Sequence, residues 1–458
     1  MSKTLLKRRS VLGLGAAAAA AVVAPTLWLP KLGRAAPTPG FGAAKHFIMV
    51  YLNGGARSTC LFNADVAQQW NPIEISGLQP GAAGTQWGVG GVFDGTDHDG
   101  GILGESIPSL PSISNELCVL GTVDHTPGED RGDGNHATAQ IRMATGAPDG
   151  TRGLLSIVYR DHPVYQGGSP PVPPVIVGSC ARLFGSGAGE FGAYRPVIVN
   201  AWYDFLGNTQ SQGVAKPPYV AAFEQQMDTR LSVSRAARHR GMVDGLRDAK
   251  LQAEQFRPIF TDPVLDVLGM PDQDKHGMTN AELLAAFGDS DFGKDAALAL
   301  RFLSFGTPAV VLGNDGWDFH SDELTEFPAH GQQLGRVLAG LVYALKRLEH
   351  PDGGSYWDHT LVGISSEFSR DNTEVSGFNS GNGSDHNGNA PCRFQALPFF
   401  GGTVGQGGKL VGRTDPTSMD ALEGEPVFSS ISVLATCLDA IGIDPDPHFP
   451  SPPLSEIY

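Results

Sequence analysis

Seven short, near-continuous apolar runs do most to limit what this chain can fold into. They span residues 46–52, 117–123, 172–177, 196–200, 308–312, 360–364 and 396–400. The runs are short, often β-branched, and several end at Gly or Asn, which marks them as strands. A strand with one wet face alternates apolar and polar residues, whereas a run apolar throughout is covered on both faces. Amphipathic helical patterns lie between the runs, at 279–287, 294–305, 330–348 and 429–441. The first of these opens on Thr279, with Glu282 three residues later completing a capping box. Buried strands alternating with helices predict a three-layer α/β/α sandwich with a mainly parallel sheet.

The residues that follow these runs carry the chemistry. The first run leads into Asn53-Gly54-Gly55-Ala56-Arg57-Ser58-Thr59, and the second into Asp124-His125 and a loop to Asp133-Gly134-Asn135-His136. The fifth leads into Asn314-Asp315-Gly316-Trp317-Asp318-Phe319-His320, and the sixth into Glu367-Phe368-Ser369-Arg370 with a loop to Asp385-His386. Open parallel sheets bind ligands at the carboxyl ends of their strands, so these four loops are expected to meet at one site. Asp318 and His320, two residues apart, point to the same side of an extended segment and suit a metal. Asp385 and His386 sit in a Gly-, Asn- and Ser-rich loop that lets neighbouring side chains reach different atoms. Mixed Asp and His donors favour zinc, manganese or iron, while calcium takes oxygen alone. The Asp-His pair occurs five times among 13 histidines, so the dipeptide alone does not mark a site.

The order of motifs adds a resemblance. Gly316-Trp317-Asp318-Phe319-His320, Glu367-Phe368-Ser369-Arg370, Ser384-Asp385-His386, Phe400-Gly401-Gly402 and Gly412-Arg413-Thr414-Asp415 resemble, in sequence order, a secreted bacterial family called domain of unknown function 1501. Tyr51-Leu52-Asn53-Gly54-Gly55 and Asn135-His136-Ala137 extend the likeness over most of the chain. That family resembles the alkaline phosphatase and sulfatase superfamily in fold. The resemblance implies that Asp318, His320, Asp385 and His386 are metal ligands. Three departures stand out. Ser369 replaces the usual glycine, Arg57 stands where superfamily enzymes place an early Asp ligand, and Asp133-Gly134-Asn135-His136 offers no hydroxyl where they carry a nucleophile. Cys60 also lacks the Cys-x-Pro-Ser-Arg context that sulfatase maturation needs.

The amino terminus predicts where this chemistry takes place. Lys3, Lys7 and the pair Arg8-Arg9 precede an Ala-rich apolar run from 13 to 24, and Gly33-Arg34-Ala35-Ala36 offers a cleavage site. This pattern reads as a twin-arginine signal peptide over residues 1–36, followed by a domain over 44–458 with a helical insertion at 215–290. The apolar run is shorter than the ~20 residues a membrane-spanning helix needs, so no stable span is expected. The translocase is then a transient partner, and the destination is the periplasm, the cell surface or the medium. Beyond residue 36 the chain holds 26 basic against 48 acidic residues, a net of −22, a surface that repels nucleic acid. Five widely spaced cysteines leave at least one unpaired within the chain.

The expected function is an exported, hydrolase-like protein that uses a divalent metal, zinc or another transition metal, on a phosphate or sulfate ester. Arg57 or Arg370 would hold the anionic group, and His136 or Glu367 would move a proton. The competing expectation is a non-catalytic relative that binds an anionic ligand or a cell-envelope partner.

Overall fold

A computed structural model describes residues 40–63, 93, 95–99, 106–129, 132–166, 172–179, 181–201, 278, 280–370, 384–386, 393–415 and 419–458. The predicted signal peptide and most of the predicted 215–290 insertion lie outside these residues. The strands in chain order are β1 (His46–Leu52), β2 (His98–Asp99), β3 (Ser106–Ile107), β4 (Cys118–Asp124), β5 (Val175–Val177), β6 (Val197–Val199), β7 (Ala309–Asn314), β8 (Thr360–Ser366), β9 (Phe394–Phe400), β10 (Lys409–Val411) and β11 (Phe428–Ser429). Longer helices are α1 (Ser58–Phe62), α2 (His136–Thr145), α3 (Leu154–Asp161), α4 (Asn280–Phe287), α5 (Asp291–Ser304), α6 (Glu323–Arg347) and α7 (Ser430–Ala440). Each of the seven apolar runs contains or becomes a strand.

Nine strands form one sheet in the order β10-β4-β9-β8-β1-β7-β5-β6, with β11 also paired to β4. A separate ribbon pairs β2 with β3. Around β1 the sheet is parallel: β7 lies on one side and β8 on the other. The departure is β9, antiparallel to both β4 and β8, so the sheet is mixed rather than uniformly parallel. All seven β1 side chains are buried. Ile48, Val50 and Leu52 enter one core with Leu61 of α1, Leu283 of α4, Leu298 of α5 and Leu338 of α6. Phe47, Met49 and Tyr51 enter the other with Met143 of α2, Leu154 of α3 and Leu434 of α7. Burying such side chains contributes about 1.5–3 kcal/mol each, which is why the central strand carries no polar alternation.

Helix ends follow local chemistry. Asn135 caps α2 by accepting from the Ala137 and Thr138 amides, and Gly146 closes it in the left-handed region. Ser290 caps α5 by accepting from the Gly293 amide. The helix expected from 330 begins instead at Glu323, with Pro328 inside it and Glu323 and Glu326 in its first turn. Cys60, Cys118 and Cys437 are buried; burial pushes the Cys60 thiol up to about 12. Among the described residues, no helix is long and apolar enough to cross a membrane.

At the amino ends of the central strands, His46 is buried and held neutral. Its Nδ1–H donates to the Thr307 carbonyl at 2.9 Å, so its Nε2 accepts from His350 Nε2–H at 3.1 Å. The Asp352 amide donates to His350 Nδ1 and fixes that second tautomer. Burial lowers the His46 pKa to about 4, against the opposing pull of the Thr307 carbonyl. Unfolded chains take up this proton below about 6.5, and the folded protein does not until about 4. The stabilising contribution is therefore complete above pH 6.5 and lost as pH falls towards 4. We expect urea unfolding to show this loss, and His46→Gln to reduce the pH-dependent part by about 3 kcal/mol at most. Equal pH slopes in the two proteins would contradict it.

Candidate metal centre

The carboxyl ends of β1, β7 and β8 and the start of α2 meet in one place, as the strand-end loops predict. Here β1 runs into Gly54, whose backbone takes a φ of +114°. A Cβ at Gly54 would come within 2.4 Å of the Asp318 amide nitrogen, so only glycine lets the loop after β7 settle this close. Two backbone hydrogen bonds join the loops: the Trp317 amide donates to the Asn53 carbonyl at 3.1 Å, and the Ser384 amide to the Phe319 carbonyl at 2.7 Å. Trp317 and Phe319 anchor this segment in the core beside Phe327.

These loops bring one donor atom each from His136, Asp318, His320 and His386 within 4.8 Å of one another. His136 Nε2 lies 2.9 Å from His386 Nε2, which lies 3.1 Å from His320 Nε2. Asp318 Oδ1 is 3.1 Å from His320 Nε2, and Asp318 Oδ2 is 3.4 Å from His136 Nε2. Tetrahedral zinc with bonds of about 2.0–2.1 Å separates its ligand atoms by about 3.3 Å. The observed separations match that edge length, and nitrogen and oxygen donors suit zinc and its first-row neighbours. Imidazole nitrogens this close to one another need a shared proton or a cation between them.

Two of the three histidines are oriented from behind. His136 Nδ1–H donates to Glu367 Oε1 at 3.0 Å, and His386 Nδ1–H donates to the Gly134 carbonyl at 2.7 Å. Both contacts leave Nε2 free to face the centre, the arrangement that fixes a metal-binding imidazole. Glu367 is fully buried and also accepts from the Gly54 amide at 2.8 Å and from Tyr51 Oη–H at 2.9 Å. It is therefore placed to act as an orienting carboxylate behind His136. In the sequence, Tyr51 and Gly54 stood out only as part of a motif, with no role given to either.

Charge in the site follows from these contacts. Hydrogen bonds to Asp318 and then Glu367 raise the His136 pKa to about 9, against its burial. Burial raises the Asp318 carboxyl, yet His136, His386 and Arg370 outweigh it and hold the group far below the usual carboxylate range. Burial lowers the His320 pKa. A cation entering this centre displaces the His136 proton, so binding strengthens with pH.

The expected site residues take these places. His136, expected to move a proton, joins Asp318, His320 and His386 as a potential ligand. Asp385 stands outside the quartet; its Oδ1 is 3.9 Å from His320 Nδ1 and accepts from its neighbour's His386 amide. Arg57 is 1% exposed, and its Nε and Nη2 pair with the two Glu323 oxygens at 2.9 and 3.1 Å. Arg370 is equally buried: Nε and Nη2 donate to Ser384 Oγ and its carbonyl, and Nη1 donates to the Gly54 carbonyl and Asp318 Oδ1. Both guanidinium groups thus serve internal carboxylates and carbonyls in place of an incoming anion. Ser369 is fully buried, and its hydroxyl has no hydrogen-bond partner among the described residues.

The fold has relatives among solved structures. Alkaline phosphatase from the Antarctic bacterium TAB5 is similar with a TM-score of 0.34 and 11% identity, over 88% of this chain and 99% of that one. The lipoteichoic acid synthase LtaP from Listeria monocytogenes is similar with a TM-score of 0.31 and 13% identity, over 89% of this chain and 75% of that one. No curated protein matches the sequence. The sequence model for the family described as "Protein of unknown function (DUF1501)" matches residues 209–452, more than half of the 458-residue chain, and the chain belongs to that family.

Proposed function

We propose that this protein is an exported metalloprotein with hydrolase-like chemistry, in which His136, Asp318, His320 and His386 hold one transition metal, zinc foremost. The convergence of three imidazole Nε2 atoms and one carboxylate within 4.8 Å carries this reading. A metal bound there supplies Lewis acidity towards a phosphate or sulfate ester and a bound water of lowered pKa. The chain's own residues set the conditions. Glu367 holds the His136 ring in the binding tautomer, Gly134 does the same for His386, and Arg370 orients the Asp318 carboxylate. Half-exposed His320 and Asp318 leave the centre open to solvent on one side, as a catalytic site requires and a closed structural site does not.

The test is turnover of an aryl phosphate and an aryl sulfate across added zinc, manganese and magnesium. Hydrolysis that disappears on chelation and in His320→Ala is the expected result. Silence across all three metals would sink the hydrolase reading for these esters. The alternative, a non-catalytic relative that binds an anionic ligand or a cell-envelope partner, takes the lead in that case. Export is tested separately. Lysines at both Arg8 and Arg9 should strand the precursor in the cytoplasm, because the twin-arginine route reads that pair; normal export of the double variant would refute it.

A further inference from the structure

The loop at 315–322 carries two of the four converging residues, and it is tied to the β1–α1 segment at both ends. At its head, Asn53 Nδ2 donates to Asp315 Oδ1 at 2.8 Å and the Asn53 carbonyl accepts from the Trp317 amide. Its tail is different. Asp322 adopts a φ of +58°, a left-handed conformation that costs a non-glycine residue energy. The next residue, Glu323, is 1% exposed and takes the bidentate contact from Arg57, itself the residue that precedes α1. A buried pair of this kind contributes little net stability over an apolar pair of similar volume, but it fixes geometry because both charges must be satisfied at once.

We propose that Arg57 and Glu323 are positioning residues for the metal centre: their buried pair sets where the 315–322 loop leaves the site and so where Asp318 and His320 stand. This inference rests on the metal reading above and adds a part to it. It gives Arg57, the residue that departs from the superfamily's early carboxylate, a role that needs no contact with substrate or metal. The strained turn at Asp322 persists because the pair holds its far side.

A purely structural pair and a positioning pair differ in what an apolar replacement does. The experiment uses full-length exported protein, with zinc affinity read by competition with a chelator and folding read by urea unfolding. The double variant Arg57→Met/Glu323→Leu removes both charges together. Its urea midpoint should stay near wild type, while its zinc affinity falls about ten- to a hundredfold, the range seen when groups behind metal ligands are removed. A folded double variant with wild-type zinc affinity overturns the proposal. If the double variant does not fold, Glu323→Gln carries the test, because it keeps volume and an acceptor for Arg57. About tenfold weaker zinc binding is expected of it, and wild-type affinity overturns the proposal. Wild-type protein that takes up no zinc overturns the metal reading and the positioning role together, so the two failures are distinguishable.

Discussion

Exported protein recovered from metal-replete cells should carry one transition metal per chain, and single replacement of His136, His320, His386 or Asp318 by Ala should release most of it. The size of the effect follows from ligand number. Four-ligand zinc sites bind with about 10–16 kcal/mol, so one ligand is worth about 3 kcal/mol, a factor of about 100 in affinity. Asp385→Ala is the internal control: its carboxylate lies 3.9 Å from His320 Nδ1, outside the quartet, and its removal leaves metal content unchanged. Elemental analysis of the five variants beside wild type makes the measurement. Metal loss in Asp385→Ala equal to that in Asp318→Ala would restore the sequence-based ligand set. Metal-free wild type would remove the centre altogether. The pH dependence has a fixed sign: His136 holds a proton up to about 9, so affinity weakens as pH falls below that value.

Arg370→Met produces the largest loss of stability. The side chain is 1% exposed, and its donors reach Ser384, Gly54 and Asp318. Removing it leaves the Asp318 carboxylate without its cation and two carbonyls without donors. Asp318 is half-exposed, so solvent screens its share of the loss, but each buried carbonyl left without a donor costs about 1–3 kcal/mol, a sizeable part of the ~5–15 kcal/mol that holds a typical domain together. The urea midpoint should fall accordingly, with no change expected in the slope. Arg370→Lys should fare little better, because an ammonium cannot span Ser384 and Asp318 with one planar fork. A midpoint within experimental error of wild type in Arg370→Met would mean that these contacts are replaced by water at no cost. Metal binding adds a second readout. Bound zinc stabilises the folded state alone, so wild type should gain stability on zinc addition and Arg370→Met should gain less.

The match between apolar runs and strands has a local cause. β1 is buried on both faces, so all seven of its residues had to be apolar or otherwise accommodated, and that pattern survives in the sequence without knowledge of any partner. The direction of β9 was not legible. Parallel and antiparallel neighbours demand the same buried side chains, and direction depends on where the chain re-enters the sheet, which no residue of 394–400 encodes. The early start of α6 at Glu323 was hidden by Pro328, which reads as a helix boundary although Phe327 before it already lies in the core.

The candidate site divides in the same way. The sequence by itself determined the residue types at the strand ends, and it placed Asp318, His320 and His386 on loops that the fold brings together. Tertiary structure alone decided the roles. His136 became a potential ligand and Glu367 its orienting carboxylate because α2 begins over the end of β8, an approach between residues 231 positions apart. Arg57 and Arg370 turned inward because Glu323, Asp318 and Ser384 lie within hydrogen-bond reach, and a buried guanidinium must satisfy its donors where it is. Sequence records which groups can bind or carry charge; which of them face one another depends on distances of 3 to 4 Å between segments hundreds of residues apart, and only packing sets those.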